Sequence, residues 1–232
     1  MLGHRGASRD AVENTLDAFA EARAQGADGV ELDVHRTLDG ELVVHHDAAV
    51  DGFGILAEHD LAAIRAALPS IPTLAEVLDA CAGLLVNVEI KNSPPDADFD
   101  PDERGAAAVV ELLRARNRRD DVLVSSFHLP TIDRVRALDD EVPTGYLVVV
   151  DPLPVPALEL AHEHGHRAVH PHYAAMGEAH AAEAVERAAA LGLGLNVWTV
   201  NDPPDIVRLA ALGVDSIITD TPRAARQALG RE

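Results

Sequence analysis

In the sequence GVELDV at residues 29–34, apolar and acidic side chains alternate, which predicts a β-strand. Side chains two positions apart on a β-strand lie on the same face. The apolar residues of this segment are therefore expected to pack against helices, whereas Glu31 and Asp33 point the other way. The sequence VNVEI at residues 86–90 alternates in the same manner and carries Glu89. The two segments predict strands whose acidic side chains converge.

Strand-like and helix-like segments alternate eight times along the chain. The predicted strands are residues 1–4, 29–34, 84–90, 122–125, 144–150, 168–170, 193–200 and 216–219. Residues 41–45 are a further extended segment, which leads to His46. The predicted helices are residues 14–25, with Asn14 as cap, 72–82, 102–116, 129–138, 178–191 and 204–212, one that starts among Pro152, Pro154 and Pro156, and one after Pro222. This alternation favours a parallel, closed (β/α)8 barrel of the TIM type, with a short insertion after the second strand. We expect residues 1–232 to form a single domain.

Five ionisable residues lie near the ends of predicted strands. They are His4, Glu31, Asp33, His46 and Glu89. The carboxyl ends of successive strands meet on one face of such a barrel. Converging carboxylates repel one another, and a hard divalent cation resolves this repulsion. We predict that the three acids bind one divalent cation, Mg²⁺ or Ca²⁺, and that the two histidines carry protons.

Basic and aromatic residues accompany this set. Arg5 and Lys91 supply positive charge for an oxyanion, and arginine suits phosphate geometry especially well. Trp198 is predicted to form a wall of the substrate site, since its two neighbours take the other face of the strand. Phe127 is a second candidate for that wall, although packing explains its position equally well.

A polar loop, the end of the last strand and several histidines complete the set of notable features. Residues 92–104 are a polar loop that lies either on the functional face or in solvent as an insertion. Residues 218–222, which include Asp220, are expected to end the last strand and cap the last helix. His45 has the opposite strand parity to His46 and is expected to face away. A histidine cluster on or after a surface helix is expected to be solvated, because its spacing does not keep all members on one helix face; it comprises His162, His164 and His166.

Bulk composition restricts the possible partners. The chain has 19 basic and 39 acidic residues, giving a formal net charge of −20. This charge makes a nucleic-acid partner or a stable membrane association improbable. An anionic small-molecule substrate remains compatible with it if a metal and a few basic residues dominate locally. Cys81 is the single cysteine, which excludes an internal disulfide and agrees with a reducing compartment. No apolar run is long enough to predict a membrane span, and a cytoplasmic location is therefore expected.

Ten short motifs run in order over almost the whole chain. They are His4-Arg5-Gly6, Glu13-Asn14-Thr15, Glu31-x-Asp33, Asp39-Gly40, His46-Asp47, Pro72-Thr73-Leu74, Glu89-Ile90-Lys91, Ser125-Ser126-Phe127, Trp198-Thr199-Val200-Asn201 and Thr219-Asp220-x-Pro222. In this order they resemble the glycerophosphodiester phosphodiesterase family. The resemblance implies a TIM-type barrel that uses a divalent metal to hydrolyse glycerophosphodiesters to an alcohol and glycerol 3-phosphate.

The resemblance also implies roles for individual residues. The three carboxylates match the metal ligands of the family, the two histidines its acid–base pair, and Arg5 and Lys91 its phosphate-contacting bases. The chain departs from the family pattern at Val12, where proline is usual, and at residues 51–54, where an Arg-Thr-Thr-like stretch is common. The insertion after His46 is also short, which affects substrate preference rather than chemistry.

Two alternative functions remain open at the level of sequence. One is a lysophospholipase D-like or sphingolipid-directed phosphodiesterase, against which the absence of paired cysteines and the 3% aromatic content argue. The other is a catalytically inactive phosphate-binding barrel, which would not need both histidines. The nucleophile is either water or the neighbouring glycerol hydroxyl, the latter through a cyclic phosphate.

Overall fold

The computed structural model describes residues 1–150 and 153–231. Within this part of the chain the strands are Leu2–His4 (β1), Gly29–Arg36 (β2), Leu42–Val44 (β3), Ala49–Val50 (β4), Gly54–Ile55 (β5), Leu85–Ile90 (β6), Val122–Ser126 (β7), Thr144–Val148 (β8), Ala168–Pro171 (β9), Gly194–Val197 (β10) and Ser216–Thr219 (β11). The α-helices are Leu16–Ala24 (α1), Leu61–Ala67 (α2), Leu74–Ala80 (α3), Arg104–Arg116 (α4), Leu129–Leu138 (α5), Pro154–His164 (α6), Glu178–Leu191 (α7), Pro203–Leu212 (α8) and Pro222–Ala228 (α9).

Eight parallel strands close into a barrel. Their order around it is β1, β2, β6, β7, β8, β9, β10 and β11, and β11 pairs with β1 again. The (β/α)8 barrel predicted from the alternation is therefore confirmed. The strand expected over residues 193–200 ends earlier, at Val197, so Trp198 follows the strand instead of lying within it. Pro152, expected near the start of a helix, lies outside the described residues.

The outward face of β2 is fully packed. Val30, Leu32 and Val34 are 0%, 0% and 1% exposed and belong to a core that includes Phe19 of α1 and Leu113 of α4. Burying a side chain of this size contributes about 1.5–3 kcal/mol each. A slip of one residue would turn all three inward and expel the acids from the interior. Strand parity is thus fixed by the contact with the helices.

Strand register places the polar side chains at one level of the barrel. In the β2–β6 pair Asp33 lies opposite Glu89, and in the β1–β2 pair His4 lies opposite Glu31. Parallel strands run in the same direction, so these residues meet at the carboxyl ends of their strands. The barrel mouth therefore gathers groups that are far apart in the sequence.

The short insertion after the second barrel strand is compact. It begins with β3, which runs antiparallel to β2, and continues through the β4–β5 hairpin to α2. Its own small core consists of Val43, Leu56, Ile64 and Ile71. The sequence predicted an extended segment at β3 but neither the hairpin nor α2, because each is too short to show a clear hydrophobic period.

The remaining helices form the outer layer of the barrel. A second core, whose members include Leu158, Leu195 and Ile206, packs the helices of the second half against β9, β10 and β11. No helix in the described ranges combines the length and apolar character that crossing a bilayer requires.

Candidate active site

Three buried carboxylates meet at the barrel mouth. Glu31, Asp33 and Glu89 are 4%, 1% and 7% exposed, and each offers an oxygen within 4.8 Å of the others. Burial, together with the neighbouring charge of Asp33, raises the pKa of Glu31 to about 8. The structure thus brings together the three acids that strand parity predicted.

Two basic side chains border the carboxylates. The Lys91 Nζ lies 2.9 Å from Glu89 Oε1 and 3.3 Å from Asp33 Oδ1, and the Arg5 Nε lies 3.2 Å from Asp33 Oδ2. The backbone N–H of Arg5 donates to Glu31 Oε2 at 3.0 Å. Burial alone would raise the pKa of Asp33, but the charges of Lys91 and Arg5 lower it. Both predicted bases therefore lie in the site.

His4 forms a pair with Asp220. The two side chains join through His4 Nδ1 and Asp220 Oδ1 at 2.7 Å, which leaves the His4 Nε2 3.9 Å from Glu31 Oε2. Asp220 also accepts hydrogen bonds from Asn201 Nδ2 at 2.6 Å and Ser8 Oγ at 3.1 Å. Burial acts to raise the pKa of Asp220, but the hydrogen bonds lower it to about 2. The pKa of His4 is raised, because Asp220 and Glu31 outweigh the opposite effect of burial.

This pairing corrects the interpretation of Asp220 as a helix cap. The residue that precedes α9 is Thr221, and no side chain caps that helix end. Asp220 instead directs its carboxylate to a residue 216 positions away in the sequence. No local pattern signals such a contact; the Thr219-Asp220-x-Pro222 motif was the available indication.

His46 lies on the outer side of the carboxylates. Its Nδ1 is 2.7 Å from Asp47 Oδ1, and its ring lines a cleft of about 370 Å³ together with Lys91 and Phe127. Burial and the charge of Lys91 lower the pKa of His46. The ring of its neighbour His45 lies within hydrogen-bond distance of the Asp47 backbone. Of the two adjacent histidines, His46 is thus the one beside the carboxylates.

A buried histidine and a carboxylate, His35 and Asp98, hold the backbone of His46 in place. His35 Nδ1 lies 2.6 Å from Asp98 Oδ2, and His35 Nε2 lies 3.1 Å from the backbone oxygen of His46. A carbonyl oxygen only accepts, so Nε2 carries a proton. Burial lowers the pKa of His35, but the contact with Asp98 raises it further than burial lowers it. Asp98 belongs to the loop over residues 92–104, which therefore lies on the functional face instead of extending into solvent.

Asn14 also belongs to the site instead of to the helix end. Its backbone adopts a left-handed conformation with φ of 58°, which asparagine tolerates better than most residues. Its Nδ2 donates to Asp33 Oδ2 at 2.8 Å. The expectation that Asn14 caps α1 was wrong by one residue, since Thr15 accepts the capping hydrogen bond from Ala18.

Two aromatic rings border the mouth. Trp198 and Phe127 meet edge to face, with ring centroids 5.4 Å apart. The Trp198 Nε1 donates to the backbone oxygen of His170 at 2.7 Å, which fixes the orientation of the indole. Trp198 lines a small cavity together with His4 and Glu31. Both aromatic residues predicted for the substrate wall therefore adjoin the polar groups.

The fold and the site together define a class. The chain is a (β/α)8-barrel enzyme with carboxylates, histidines and basic groups collected at the carboxyl ends of its strands, where enzymes of this fold carry out their chemistry. Residues 4–224 match the model of the glycerophosphoryl diester phosphodiesterase family. The chain belongs to this family.

Similar proteins agree with this assignment. A glycerophosphodiester phosphodiesterase of Caldanaerobacter subterraneus subsp. tengcongensis is 32% identical over 96% of this chain and 94% of the relative. One of Bacillus subtilis is 30% identical over 95% of this chain and 83% of the relative. The family assignment and these relatives identify an enzyme of the glycerophosphodiester phosphodiesterase type, a phosphoric diester hydrolase.

Solved structures give the same result for the fold. A glycerophosphodiester phosphodiesterase of Thermotoga maritima superposes with a TM-score of 0.81 at 29% identity, covering 96% of this chain and 94% of the other. A phosphodiesterase of Oleispira antarctica, in complex with the product sn-glycerol-3-phosphate, superposes with a TM-score of 0.85 at 27% identity, covering 99% and 96%. The likeness extends over almost the entire barrel.

Proposed function

We propose that this enzyme hydrolyses glycerophosphodiesters to an alcohol and glycerol 3-phosphate, with a divalent cation and two histidines as its chemical groups. The observation that carries the proposal is the set of three buried carboxylates between His4 and His46. The Oleispira antarctica phosphodiesterase, which binds sn-glycerol-3-phosphate, supports the glycerol phosphate product. We further infer that residues 1–232 act as one domain in the cytoplasm, without stable membrane attachment.

The carboxylates fit a hard divalent cation. Glu31, Asp33 and Glu89 offer only oxygen atoms, which Mg²⁺ and Ca²⁺ prefer. Burial and the neighbouring charge of Asp33 raise the pKa of Glu31, and a bound cation would favour its ionised form. When bound, the cation polarises a phosphate oxygen and stabilises the negative charge of the transition state.

His4 is the proposed general base. Its Nδ1 is held by the anionic Asp220, so its Nε2 is the atom free to accept a proton from the nucleophile. Asp220 stabilises the imidazolium that results, as a buried carboxylate does in a histidine dyad. The same base serves water or the neighbouring glycerol hydroxyl, because either nucleophile loses one proton as its oxygen bonds to phosphorus.

His46 is the proposed general acid. It borders the cleft that leads outward, where the alcohol departs once the bond between phosphorus and the leaving oxygen breaks. A proton from the His46 ring neutralises the leaving alkoxide. The loop over residues 92–104 supports this arrangement through the contact of Asp98 with His35, whose ring bonds to the His46 backbone.

Arg5 and Lys91 contribute to phosphate binding. Each already contacts a carboxylate, which fixes its position and keeps it charged. A guanidinium carries five N–H donors, so Arg5 retains donors for a phosphate oxygen beside its contact with Asp33. The phosphate is therefore held between the cation site and two fixed positive charges.

The proposed substrates are small and water-soluble. Phe127 and Trp198 provide an apolar wall of limited area for the glycerol. The insertion after His46 is short and folds around its own small core. A net charge of −20 also disfavours approach to an anionic bilayer. Glycerophosphocholine and glycerophosphoethanolamine suit these features better than lysophospholipids.

The substrate test compares a soluble diester with its lipid counterpart. The kcat/KM is measured for glycerophosphocholine and for lysophosphatidylcholine below its micelle concentration, and we expect a clear preference for the former. Preference for the lysolipid would replace the proposal with a lysophospholipase D-like function. The absence of turnover on a panel of glycerophosphodiesters, at saturating Mg²⁺ or Ca²⁺, would favour a binding protein instead.

A further inference from the structure

A second group of potential metal ligands lies away from the barrel mouth. It consists of Asp133 on α5, His164 at the end of α6, and His166, which precedes β9, and we call it the distal cluster. Each offers one ligand atom within 4.8 Å of the others. Since His166 comes before its strand, the cluster lies toward the amino ends of the barrel strands, opposite the mouth.

A glycine turn assembles the distal cluster. The helix α6 ends at His164, and Gly165 adopts a left-handed conformation with φ of 76°. This turn directs the chain back, so the rings of His164 and His166 stack with centroids 6.0 Å apart. The expectation that the three histidines are solvated holds for His162 and His164, which are exposed, but is wrong for His166, which is 2% exposed. The helix-face argument fails because His166 is not on the helix.

The ligand atoms of the cluster already converge. His164 Nδ1 lies 2.9 and 3.0 Å from the two carboxylate oxygens of Asp133, and His166 Nε2 lies 3.3 Å from Asp133 Oδ1. Ligands around a four-coordinate zinc ion, with bonds of about 2.0–2.1 Å, lie at comparable separations. We propose that Asp133, His164 and His166 bind one divalent transition-metal ion of the Zn²⁺ type, with water completing the coordination.

The environment of His166 supports this assignment. Its Nδ1 is joined to the Thr144 hydroxyl at 2.9 Å, the kind of outer contact that fixes the ring of a metal-bound histidine. Its Nε2 is buried and makes no hydrogen bond within the described structure. A buried nitrogen that lies beside a carboxylate and makes no hydrogen bond is available to a cation.

Two nitrogens and one carboxylate select a borderline cation. Zn²⁺ accepts imidazole and carboxylate ligands together, whereas Mg²⁺ and Ca²⁺ prefer oxygen alone. The guanidinium of Arg136 lies beside Gly165 and adds a positive charge near the cluster. We therefore expect moderate affinity instead of the very tight binding of closed structural zinc sites.

The consequence of binding is structural. A bound ion would join α5 to the turn between α6 and β9, which are otherwise linked here by side-chain contacts. The amino-terminal face of such barrels contributes to stability and the opposite face to catalysis. Occupation of the distal cluster should therefore raise the melting temperature and leave turnover unchanged.

Metal titration tests the site directly. The protein is freed of metal with a chelator, which is then removed, and is titrated with Zn²⁺ by calorimetry in excess Mg²⁺, and separately with Co²⁺ while visible absorption is recorded. Four-coordinate Co²⁺ with imidazole ligands absorbs far more strongly than Co²⁺ in an octahedral oxygen site. His164→Ala and Asp133→Asn are the test variants, since both side chains are partly exposed and neither is needed for the core. His162→Ala is the matched control on the same helix.

We expect the wild-type protein and His162→Ala to bind Zn²⁺ and to develop the visible Co²⁺ bands. We expect His164→Ala and Asp133→Asn to bind at least about tenfold more weakly and to lose the bands and the rise in melting temperature. The proposal is overturned if the wild type gives no such bands, if the two variants bind as the wild type does, or if His162→Ala loses binding equally. Activity is not a readout, so failure here is distinct from failure of the proposed reaction.

Discussion

The barrel mouth and the distal cluster each bring together groups that can bind a cation, but the types of group differ. The mouth gathers three carboxylates, Glu31, Asp33 and Glu89, from two adjacent strands. The distal cluster combines one carboxylate with two imidazoles, brought together by a turn. Oxygen ligands suit a hard cation that activates phosphate, and nitrogen ligands suit a borderline cation that stabilises structure. We infer that the mouth is the catalytic face of the barrel and that the opposite face contributes to its stability.

Histidine also behaves differently in the two regions. At the mouth, hydrogen bonding and nearby negative charge raise the pKa of His4, while burial and Lys91 lower that of His46. In the distal cluster, burial lowers the pKa of His166. The carboxylate partner of His4 stabilises the imidazolium that forms when His4 accepts a proton, whereas the buried His166 has a nitrogen without a hydrogen bond, which a metal can bind.

The largest expected effect is the loss of either mouth histidine. His4→Ala and His46→Ala should each lower kcat by at least ~10²-fold, the usual scale for loss of a general acid or base. Steady-state kinetics on glycerophosphocholine measures this. Zn²⁺ binding at the distal cluster should be unchanged in both variants, and Asp133→Asn should keep its turnover.

His45→Ala is the control for the choice between adjacent histidines. Its ring bonds only to the backbone of Asp47 among the described contacts, so its removal should have little effect on kcat. If His45→Ala is as damaging as His46→Ala, the assignment of the catalytic histidine is wrong.

Asp220→Asn should have the next largest effect, roughly a 10²-fold loss of kcat. The amide cannot stabilise a protonated His4, and since Asp220 raises the pKa of His4, its removal should lower that pKa. The corresponding limb of the pH profile of kcat/KM should therefore move to lower pH. An unchanged profile together with unchanged turnover would mean that Asp220 only shapes the loop after β11.

Asp98→Asn should lower kcat roughly tenfold, on the scale of other outer contacts in active sites. The variant weakens the charged contact with His35, whose ring holds the backbone of His46. Asp102→Asn, an exposed residue of the same loop, is the matched control. Equal effects of the two substitutions would assign the change to loop stability instead of to His46.

His170 provides a third histidine environment and the smallest expected effect. It is fully buried, and burial lowers its pKa to about 3, against about 6.5 in the unfolded chain. The unfolded state therefore binds a proton that the folded state excludes, and stability falls as pH drops below about 6.5. Between pH 7 and pH 5 this loss is about 2 kcal/mol.

His170→Gln should reduce that acid sensitivity. Glutamine retains an acceptor for Asn196, which contacts the His170 ring at 3.0 Å, but does not titrate. Urea unfolding of both proteins at pH 7 and pH 5 gives the difference in the free energy of unfolding. Equal losses in the two proteins would show that His170 is protonated in the folded state at pH 5.

Regular elements made the barrel and most of the mouth predictable from sequence. Alternation along β2 and β6 identified Glu31, Asp33 and Glu89, because strand parity is a local property. Asp220 and Asp98 could not be assigned in this way, since their partners His4 and His35 are 216 and 63 residues away. Such contacts depend on barrel closure and on loop conformation, which periodicity does not encode.

The distal cluster was misread for a related reason. The spacing of its histidines was treated as a helical pattern, but Gly165 ends α6 between His164 and His166. The glycine was visible in the sequence as a helix-ending residue. The sequence did not indicate that Asp133, on the neighbouring helix α5, lies beside these histidines.

The most direct test of the account is the metal requirement of the mouth. The kcat/KM for glycerophosphocholine is measured on protein in excess chelator and again after Mg²⁺ or Ca²⁺ is supplied, for the wild type and for Asp133→Asn. We predict that activity is lost in chelator and restored by Mg²⁺ or Ca²⁺ in both proteins, because the proposed cation site consists of Glu31, Asp33 and Glu89. Full activity in chelator would contradict it.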